Sequence, residues 1–203
     1  MALKLYYSPG SCSLSPHIAL EESGLPYEAI LAPTKTKLLP DGSDYRKVNP
    51  LGYVPFLTLP DGTGLHEGAA IVQYIADQAP AKKLAPPNGT VARYQLQSWL
   101  IFIATELHKN FGPLFMPGIP DEVKPLFKNK IAERLAWVDG ELAGKSYLMG
   151  DDFTVADGYL FTVSNWAIPM GIDLAALRNL TACRDRIAAR PAVKAVLKAE
   201  GLA

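Results

Sequence analysis

Hydrophobic and polar positions follow two different patterns in the two parts of the chain. The first part combines short β-favouring runs with helical spacing and predicts the order β-α-β, a loop, then β-β-α. The expected strands are 3–7, 27–32, 54–59 and 65–66, and the expected helices are 13–23 and a segment that begins at Glu67. A parallel strand pair joined by a crossover helix, followed by a hairpin and a closing helix, forms a small α/β layer.

The second part of the chain shows helical spacing only. A stretch rich in proline, PAKKLAPPNG, separates the two parts and is typical of a linker. The expected helices are 90–110, 121–143, 154–170, one from about 174 and a last one from Pro191. We therefore predict an α/β plus all-α protein, with an α/β domain over 1–80, a linker over 81–89 and an all-helical domain over 90–203.

Composition and charge exclude several kinds of partner. Lys plus Arg and Asp plus Glu number 20 each among 203 residues, so we expect neither nucleic-acid nor membrane-surface binding. The N-terminal run MALKLYYSPG lacks the apolar core of a signal peptide, and polar side chains interrupt every apolar run before it could cross a bilayer. Two cysteines, Cys12 and Cys183, give no disulfide framework, which favours a cytoplasmic protein with free thiols.

Cys12 lies where the loop after the first predicted strand enters the first helix. Unpaired N–H groups and the helix dipole at such a position stabilise a thiolate, so the sequence predicts a lowered pKa for this thiol. The run Cys12-Ser13-Leu14-Ser15 has the C-x-x-C spacing of thiol oxidoreductases, with serine in place of the second cysteine. A thiolate without a resolving neighbour forms persistent mixed disulfides with small thiols. A purely structural cysteine is the alternative, since free cysteine often behaves as a small hydrophobe.

Two other motifs in the first part suit the binding of an extended peptide. Val54-Pro55 opens the third strand, and an X-Pro bond in the cis form turns the preceding N–H and C=O outward, where they pair with a bound peptide. Glu67-Gly68 starts the next helix, where the carboxylate suits an ammonium group and the first N–H groups suit a carboxylate. Each motif has a structural alternative, an edge signal for the proline and a favourable dipole contact for the glutamate.

The helical part contributes two motifs of different kinds. His108 and Lys109 are expected near the end of the long helix, where His108 is a candidate hydrogen-bond donor or base, although both residues also suit a helix C-terminus. The histidines show no i, i+4 pair, so we predict no metal site. Thr154 and Asp157 have the spacing of a reciprocal helix cap and are expected to be structural.

Five stretches, in order and spread over nearly the whole chain, resemble the cytosolic glutathione transferases, and most of all their bacterial beta class. They are KLYYSPGSCSLSPHIAL, NPLGYVPFLTL, HEGAAIVQYIAD, ATELHKNFGPLF and GDDFTVADGYLF. The resemblance implies a thioredoxin-like N-terminal domain (βαβ-ββα), an all-helical C-terminal domain and a homodimer. It also implies glutathione as co-substrate and a small hydrophobic electrophile as second substrate.

The resemblance further implies roles for individual residues. Cys12 stands at the beta-class cysteine, and Val54, before the cis-proline Pro55, pairs with the cysteinyl backbone of glutathione. The other implied glutathione-binding residues are Lys37 near the glycyl end, Glu67 and Gly68 at the γ-glutamyl end, His108 beside the sulfur, and Thr105 and Lys109 on the same helix. The residues expected to line the electrophile pocket are Phe111, Phe115 and Trp166.

Two positions depart from the family pattern. Ile101 occupies a place where beta-class relatives often carry asparagine, which puts one polar contact to glutathione in question. Gly158 follows Asp157 where alanine is common, and this exchange should cost the helix roughly 0.5–1 kcal/mol.

The expected reaction is transfer of the glutathione thiolate to an electrophilic carbon, with helix N–H groups and His108 stabilising the thiolate. Attack by Cys12 on disulfides or peroxides would add thiol transferase or peroxidase activity. Two alternatives stay open at the level of the sequence. One is a pathway-dedicated member that isomerises, dehalogenates or cleaves an ether with glutathione, and the other is a non-catalytic binder of hydrophobic ligands.

Overall fold

The computed structural model describes residues 2–203, and its elements follow the predicted order. The strands are β1 Leu3–Tyr7, β2 Tyr27–Leu31, β3 Phe56–Thr58 and β4 Gly64–Leu65. The helices are α1 Leu14–Ser23, α2 Gly68–Gln78, α3 Val91–Phe102, α4 Lys109–Phe115, α5 Lys124–Glu141, α6 Val155–Ser164, α7 Arg178–Ala188 and α8 Pro191–Ala199. Short 3₁₀ turns lie at Tyr45–Lys47, Pro80–Lys82 and Asn165–Ala167.

The strands form one mixed sheet in the order β2-β1-β3-β4. β1 and β2 are parallel, with Leu5 opposite Ala29. β3 is antiparallel to both β1 and β4, and Leu57 pairs with Leu5 on one side and Leu65 on the other. A helical crossover and a hairpin produce this arrangement, which confirms the predicted thioredoxin-like βαβ-ββα layer.

Neighbouring residue pairs along β1 and β3 fill opposite faces of the sheet. Leu5 and Leu57 form one fully buried pair. The next pair, Tyr6 and Phe56, belongs to a buried cluster that also contains Tyr45, whose ring stacks on Tyr6 at a centroid distance of 5.3 Å. Tyr45 therefore anchors the long loop between β2 and β3 to the sheet, and this loop leads directly into Val54.

The described residues divide into two compact units, one up to Ala85 together with Arg190–Ala203, and the other Pro86–Ala189. The contacts thus group α8 with the α/β unit, whereas the sequence analysis placed 190–203 in the helical domain. The reason is that α8 packs on α1, and Arg190 donates to Glu22 through Nε at 2.6 Å and Nη2 at 2.9 Å. An amphipathic pattern does not reveal which neighbour buries it. The predicted boundaries at 80 and 89 stay a prediction.

One nearly continuous helical run begins the second unit. α3 leads into a π-helical segment, Ile103–His108, and then into α4. His108 and Lys109 therefore lie inside the run, and the expected helix end near residue 110 is wrong. The run ends at Phe115, because the backbone of Met116 becomes extended. A helix C-terminus thus does not explain His108 and Lys109, and π-helical turns are frequent at functional sites.

Two helices are shorter than predicted. α6 is followed only by a 3₁₀ turn, since Pro169 supplies no N–H and Gly171 adopts a φ of 69°. The helix expected from 174 begins at Arg178, because the Asp173 side chain accepts the Ala175 N–H at 2.8 Å and holds a turn there. None of the helices in residues 2–203 is both long and apolar enough for a membrane crossing.

Asp157 organises the start of α6. Its carboxylate accepts the N–H and the hydroxyl of Thr154, each at 2.8 Å, and the N–H of Leu148 at 2.8 Å. All three residues are buried, so the carboxylate ties the preceding loop to the helix. Burial raises the pKa of Asp157 to about 6, although the three hydrogen bonds act in the opposite direction.

Candidate active site

Serine side chains build the loop that carries Cys12. The Ser8 N–H donates to Ser13 Oγ at 3.0 Å, and Ser13 Oγ donates back to the Ser8 carbonyl at 3.2 Å. Ser11 Oγ lies 2.8 Å from Ser13 Oγ. Small side chains that bond to nearby backbone favour such a tight loop at a helix start. Cys12 is thereby held immediately before α1.

The Cys12 thiol contacts the backbone at the start of the third strand. Its Sγ donates to the Val54 carbonyl at 3.2 Å. The Val54-Pro55 peptide bond is cis, as the sequence allowed, and both residues are buried. The structure thus brings together the thiol and the X-Pro motif, which are 42 residues apart in the sequence.

Burial, and not the helix dipole, dominates the ionisation of Cys12. Burial raises the pKa of the thiol to about 11, and the negative charge of Glu67 raises it further, while nearby backbone N–H groups act in the opposite direction. The predicted lowered pKa is therefore wrong for the protein without a ligand. The physical reason is that α1 begins two residues later, at Leu14, while the surrounding protein partly shields the thiol from water.

Glu67 has an unusual backbone at the start of α2. Its φ is 63° and its ψ is 113°, a region that a residue with a side chain rarely adopts. The side chain of Glu67 is exposed, and the first N–H groups of α2 follow it. A Cβ atom on Gly68 would lie 3.5 Å from Pro55 Cγ, an ordinary van der Waals distance, so the start of α2 lies beside the cis-proline.

Lys37 is attached to the turn that precedes Val54. Its Nζ donates to the Gly52 carbonyl at 2.5 Å and lies 6.0 Å from the centre of the Tyr53 ring. Its backbone also has a positive φ, 57°. The predicted glycyl-end residue therefore lies on the same loop system as the thiol's partner.

Two residues that the sequence analysis missed hold this turn. Tyr45 donates its hydroxyl to the Tyr53 carbonyl at 2.7 Å, and Asn49 Nδ2 donates to the same carbonyl at 2.8 Å. Both are buried. The Asn-Pro pair at 49–50, a typical turn signal, could have indicated Asn49, whereas nothing in the local sequence marks Tyr45.

His108 belongs to an aromatic cluster in the helical unit. Its Nδ1 lies 2.7 Å from the Tyr159 hydroxyl, and its ring lies 5.0 Å from the Trp166 ring. Burial lowers the pKa of His108 to about 4, and the positive charge of Lys109 lowers it further. The imidazole is therefore neutral at pH 7, with one nitrogen as donor and the other as acceptor. Tyr159 was missed because a tyrosine within a buried helix carries no sequence signal of its own.

The three predicted pocket residues lie together in this cluster. The Phe111 and Phe115 rings each lie 5.6 Å from Trp166 and 6.4 Å from one another. Phe111 is fully buried, whereas Phe115 is 50% exposed and presents an apolar surface to solvent. Edge-to-face contacts of this type fix the ring orientations.

The remaining predicted residues lie outside the aromatic cluster. The Thr105 hydroxyl donates to the Ile101 carbonyl at 3.0 Å, and the side chains of Thr105 and Lys109 are exposed. Ile101 is 61% exposed, so its apolar side chain presents no polar group at that position. The predicted site residues are thus divided between the two compact units, and in the second unit only His108, Phe111, Phe115 and Trp166 form a cluster. No group of three metal-ligating side chains occurs within the described chain.

A thioredoxin-like layer with a thiol beside a cis-proline, followed by an all-helical unit, is the architecture of the thiol-dependent transferases. A sequence profile described as the glutathione S-transferase N-terminal domain matches residues 10–78, and the profile of the C-terminal domain of the same family matches residues 102–191. The chain belongs to the glutathione S-transferase family, which confirms the family resemblance.

Individual relatives support this assignment over nearly the whole chain. The glutathione S-transferase GstA of Escherichia coli O157:H7 is 45% identical, covering 98% of this chain and 100% of its own. A sphingomonad glutathione S-transferase solved in complex with glutathione is 48% identical, with a TM-score of 0.95 and coverage of 98% and 100%. The beta-class enzyme of Sphingomonas chungbukensis gives the same identity, TM-score and coverage. These relatives do not favour the isomerase, dehalogenase, etherase or binder alternatives.

Proposed function

We propose that this glutathione S-transferase conjugates glutathione to small hydrophobic electrophiles and that Cys12 forms a mixed disulfide with glutathione. The observation that carries the proposal is the Cys12 thiol bonded to the Val54 carbonyl beside the cis-proline, next to the strained Glu67. The glutathione complex of the sphingomonad relative supports glutathione as the co-substrate.

Glutathione binding changes the partners of the thiol. The Val54 backbone suits the cysteinyl N–H and C=O of glutathione as an added β-strand. When the ligand N–H takes the Val54 carbonyl, the 3.2 Å bond from Cys12 is replaced and the thiol is released for reaction. The hydrogen bond to the Val54 carbonyl therefore occupies the Cys12 thiol until glutathione is bound.

The ends of glutathione have charged groups that match the remaining residues of the first unit. Glu67 offers a carboxylate for the γ-glutamyl ammonium, and the N–H groups from Gly68 onward receive its carboxylate. The Lys37 ammonium group, which donates to the Gly52 carbonyl, binds the glycyl carboxylate. The positive φ of Glu67 is the backbone strain expected where a side chain is aimed at a ligand.

The helical unit contributes residues for the glutathione thiol and for the electrophile. His108, neutral above pH 5, serves as hydrogen-bond donor or base for the glutathione thiol. Thr105 and Lys109 contribute polar contacts on the same helical run, and Phe111, Phe115 and Trp166 bind the electrophile.

The redox reaction is an exchange of disulfides. The Cys12 thiolate attacks one sulfur of oxidised glutathione, the old disulfide breaks, and one glutathione thiolate leaves while Cys12 keeps the other half. A second glutathione thiolate then attacks the mixed disulfide and regenerates Cys12. Serine at position 15 provides no resolving thiol, so this mixed disulfide persists.

Intact mass after incubation with oxidised glutathione tests the proposal, with Cys12→Ser and the matched variant Cys183→Ser alongside. We expect one reducible glutathione adduct on the wild type and on Cys183→Ser, and none on Cys12→Ser. Cys183 is buried and its pKa is raised to about 12 by burial, so it should not react. An adduct that persists in Cys12→Ser would contradict the redox role.

Conjugation is tested separately with Cys12→Ala and an activated aryl halide. If glutathione's own sulfur is the nucleophile, conjugation survives in Cys12→Ala while disulfide exchange is lost. Loss of both activities, with glutathione binding unchanged, would contradict this division and show that attack by the glutathione sulfur also requires the Cys12 thiol.

We further propose a cytoplasmic homodimer. Two free thiols suit a reducing compartment. The outer face of α3 carries Val91, Tyr94 and Ile101 at 76%, 64% and 61% exposure, and exposed apolar groups of this kind mark interaction surfaces. Sedimentation velocity at micromolar concentration checks this, and Tyr94→Glu should shift the protein toward monomer.

A further inference from the structure

A buried carboxylate after the last helix reaches the loop that carries Cys12. Glu200 directly follows α8 and is only 5% exposed. Its Oε2 accepts the Gly10 N–H at 2.9 Å, and its Oε1 lies 2.8 Å from Nδ1 of His17. One side chain thus holds both the loop before Cys12 and the helix after it.

Residues after α8 support the loop in addition to its own serine side chains. Gly10 has a φ of 68°, a conformation that most residues avoid. Leu202 covers Gly10, since a Cβ at Gly10 would lie 3.6 Å from Leu202 Cδ2. The residues after α8 therefore contact the loop through one hydrogen bond and one apolar side chain.

His17 transmits the contact to α1. Its ring is buried and packs against the rings of Tyr7 and Tyr27 at centroid distances of 5.2 and 5.7 Å. Tyr7 ends β1, so the imidazole connects the strand and helix on either side of the loop. The Glu200 carboxylate fixes the orientation of this ring through Nδ1.

A separate ion pair holds the other end of α8. Arg190 and Glu22 form two hydrogen bonds, at 2.6 and 2.9 Å, at the start of α8. The side chains of Val193 and Val196, in the middle of α8, are buried. Glu200 is therefore not the only attachment of α8, and its position at the loop requires another explanation.

We propose that Glu200 is a positioning residue for Cys12. By holding Gly10 and His17, it fixes the backbone of the loop and hence the direction in which the Cys12 thiol points. Glu200 takes part in no bond-making step. The proposal rests on the proposed function of Cys12 and adds to that site a residue from the opposite end of the sequence.

Three variants separate positioning from stability. Glu200→Ala removes both contacts, Glu200→Gln keeps an acceptor for Gly10 and a donor for His17, and Glu22→Ala removes the other attachment of α8 without touching the loop. We expect Glu200→Ala to lower kcat and the rate of glutathione adduct formation about tenfold, with the KM for glutathione within about twofold. Glu200→Gln should stay within about threefold of the wild type, and Glu22→Ala should match the wild type rates.

Alkylation of Cys12 by iodoacetamide provides a readout that does not require glutathione. A loosened loop exposes the thiol, so Glu200→Ala should alkylate at least about threefold faster while transfer becomes slower, and Glu22→Ala should change neither rate. Rates in Glu200→Ala equal to those in Glu22→Ala would overturn the positioning role. A wild type that forms no adduct would overturn the proposed function instead, and the alkylation rates would still decide the role of Glu200.

Leu202→Ala keeps the test decisive if Glu200→Ala does not fold. Leu202 is 45% exposed, so its truncation leaves the core intact while it removes the apolar cover of Gly10. We expect adduct formation to fall about two- to threefold. An unchanged rate in this variant would contradict positioning by the residues after α8.

Discussion

Burial determines the protonation states of both Cys12 and His108. The thiol has a pKa raised to about 11 and the imidazole a pKa lowered to about 4, so each is uncharged at neutral pH without a ligand. Removal from water disfavours the charged form of either group, whatever its sign. Without a ligand, the Cys12 thiol and the His108 imidazole are therefore both neutral. A thiolate at Cys12 must form by loss of a proton when the ligand binds.

The alkylation rate of Cys12 should follow its thiolate fraction. In a Cys183→Ser background, we expect the rate with iodoacetamide to rise about tenfold per pH unit from pH 7 to pH 10. Glu67→Gln removes a negative charge that raises the pKa of Cys12, so it should accelerate alkylation at pH 8 by about two- to threefold. Glu28→Gln is the matched control, and an equal acceleration there would refute a specific effect of Glu67.

His108 should make stability depend on pH. Its folded pKa of about 4 lies below the ordinary value of 6.5, so the unfolded chain binds more protons between these values and stability rises with pH across that window. The contribution is complete above pH 6.5 and is lost as the pH falls toward 4, by on the order of 2–3 kcal/mol. The difference between wild type and His108→Gln in urea unfolding from pH 4 to pH 7 measures it, because Asp157, with a pKa raised to about 6, makes stability fall with pH over part of the same window. His108→Gln should flatten this slope, and an unchanged slope would contradict the assignment.

At the element scale, two helix starts place a carboxylate in opposite surroundings. α2 begins after Glu67, whose backbone is strained, and α6 begins under the buried Asp157 cap. The first arrangement exposes its carboxylate to solvent, while the second encloses it in three hydrogen bonds. The residue before α2 thus presents an exposed carboxylate, whereas the carboxylate in the first turn of α6 is buried and ties the helix to the preceding loop.

Relief of backbone strain at Glu67 should increase the stability of the fold and weaken glutathione binding. Glu67→Gly should raise the free energy of unfolding by about 0.5–1 kcal/mol, because glycine adopts a positive φ at little cost. Lys83→Gly is the matched control, since Lys83 also has a positive φ, 54°. Both should stabilise the protein in urea, but only Glu67→Gly should raise the KM for glutathione. Equal KM values would remove Glu67 from the glutathione site.

Loss of the α6 cap should destabilise the protein strongly. Asp157→Ala leaves the buried N–H groups of Leu148 and Thr154 without their acceptor, so we expect a loss of about 2–3 kcal/mol. Asp152→Ala, at an exposed position nearby, should change stability by less than about 0.5 kcal/mol. Chemical denaturation of the two variants decides the matter, and equal values would contradict the role of the cap.

At the scale of the whole molecule, the order of elements along the chain differs from their grouping in space. The α/β unit contains both the first strand and α8, while the helical unit comes from the middle of the chain. Each unit has its own buried core, with Leu5 and Val193 in the first and Leu135 and Leu180 in the second. Cores of this kind unfold as cooperative groups.

Hydrogen exchange should show the two units separately. Val193→Ala truncates a buried residue of α8 and should increase exchange in α1 and β1, whereas Leu180→Ala in α7 should increase exchange in α5 and α6. Mass spectrometry of peptides from both variants measures this. An increase in α5 and α6 on Val193→Ala, without one in α1, would contradict the grouping of α8.

Local patterns were sufficient to predict the order of elements, the sheet and the X-Pro motif, because periodicity and turn residues act within a few positions. They were not sufficient for the pKa of Cys12, since burial depends on parts of the chain far from it in sequence. The π-helical segment and the contacts of Tyr45 and Glu200 likewise arise from tertiary packing. The prediction that glutathione is the co-substrate came from the family resemblance and not from periodicity.

The grouping of α8 has a consequence for biosynthesis. Ribosomes add about 5–20 residues per second, so the loop with Cys12 leaves the ribosome roughly 10–35 s before α8 does. Until then the nascent loop lacks Glu200 and Leu202, whereas all residues of the helical unit precede α8. In a chain still being translated, the loop with Cys12 therefore lacks part of its contacts, and it acquires them only after residues 200–202 have been added.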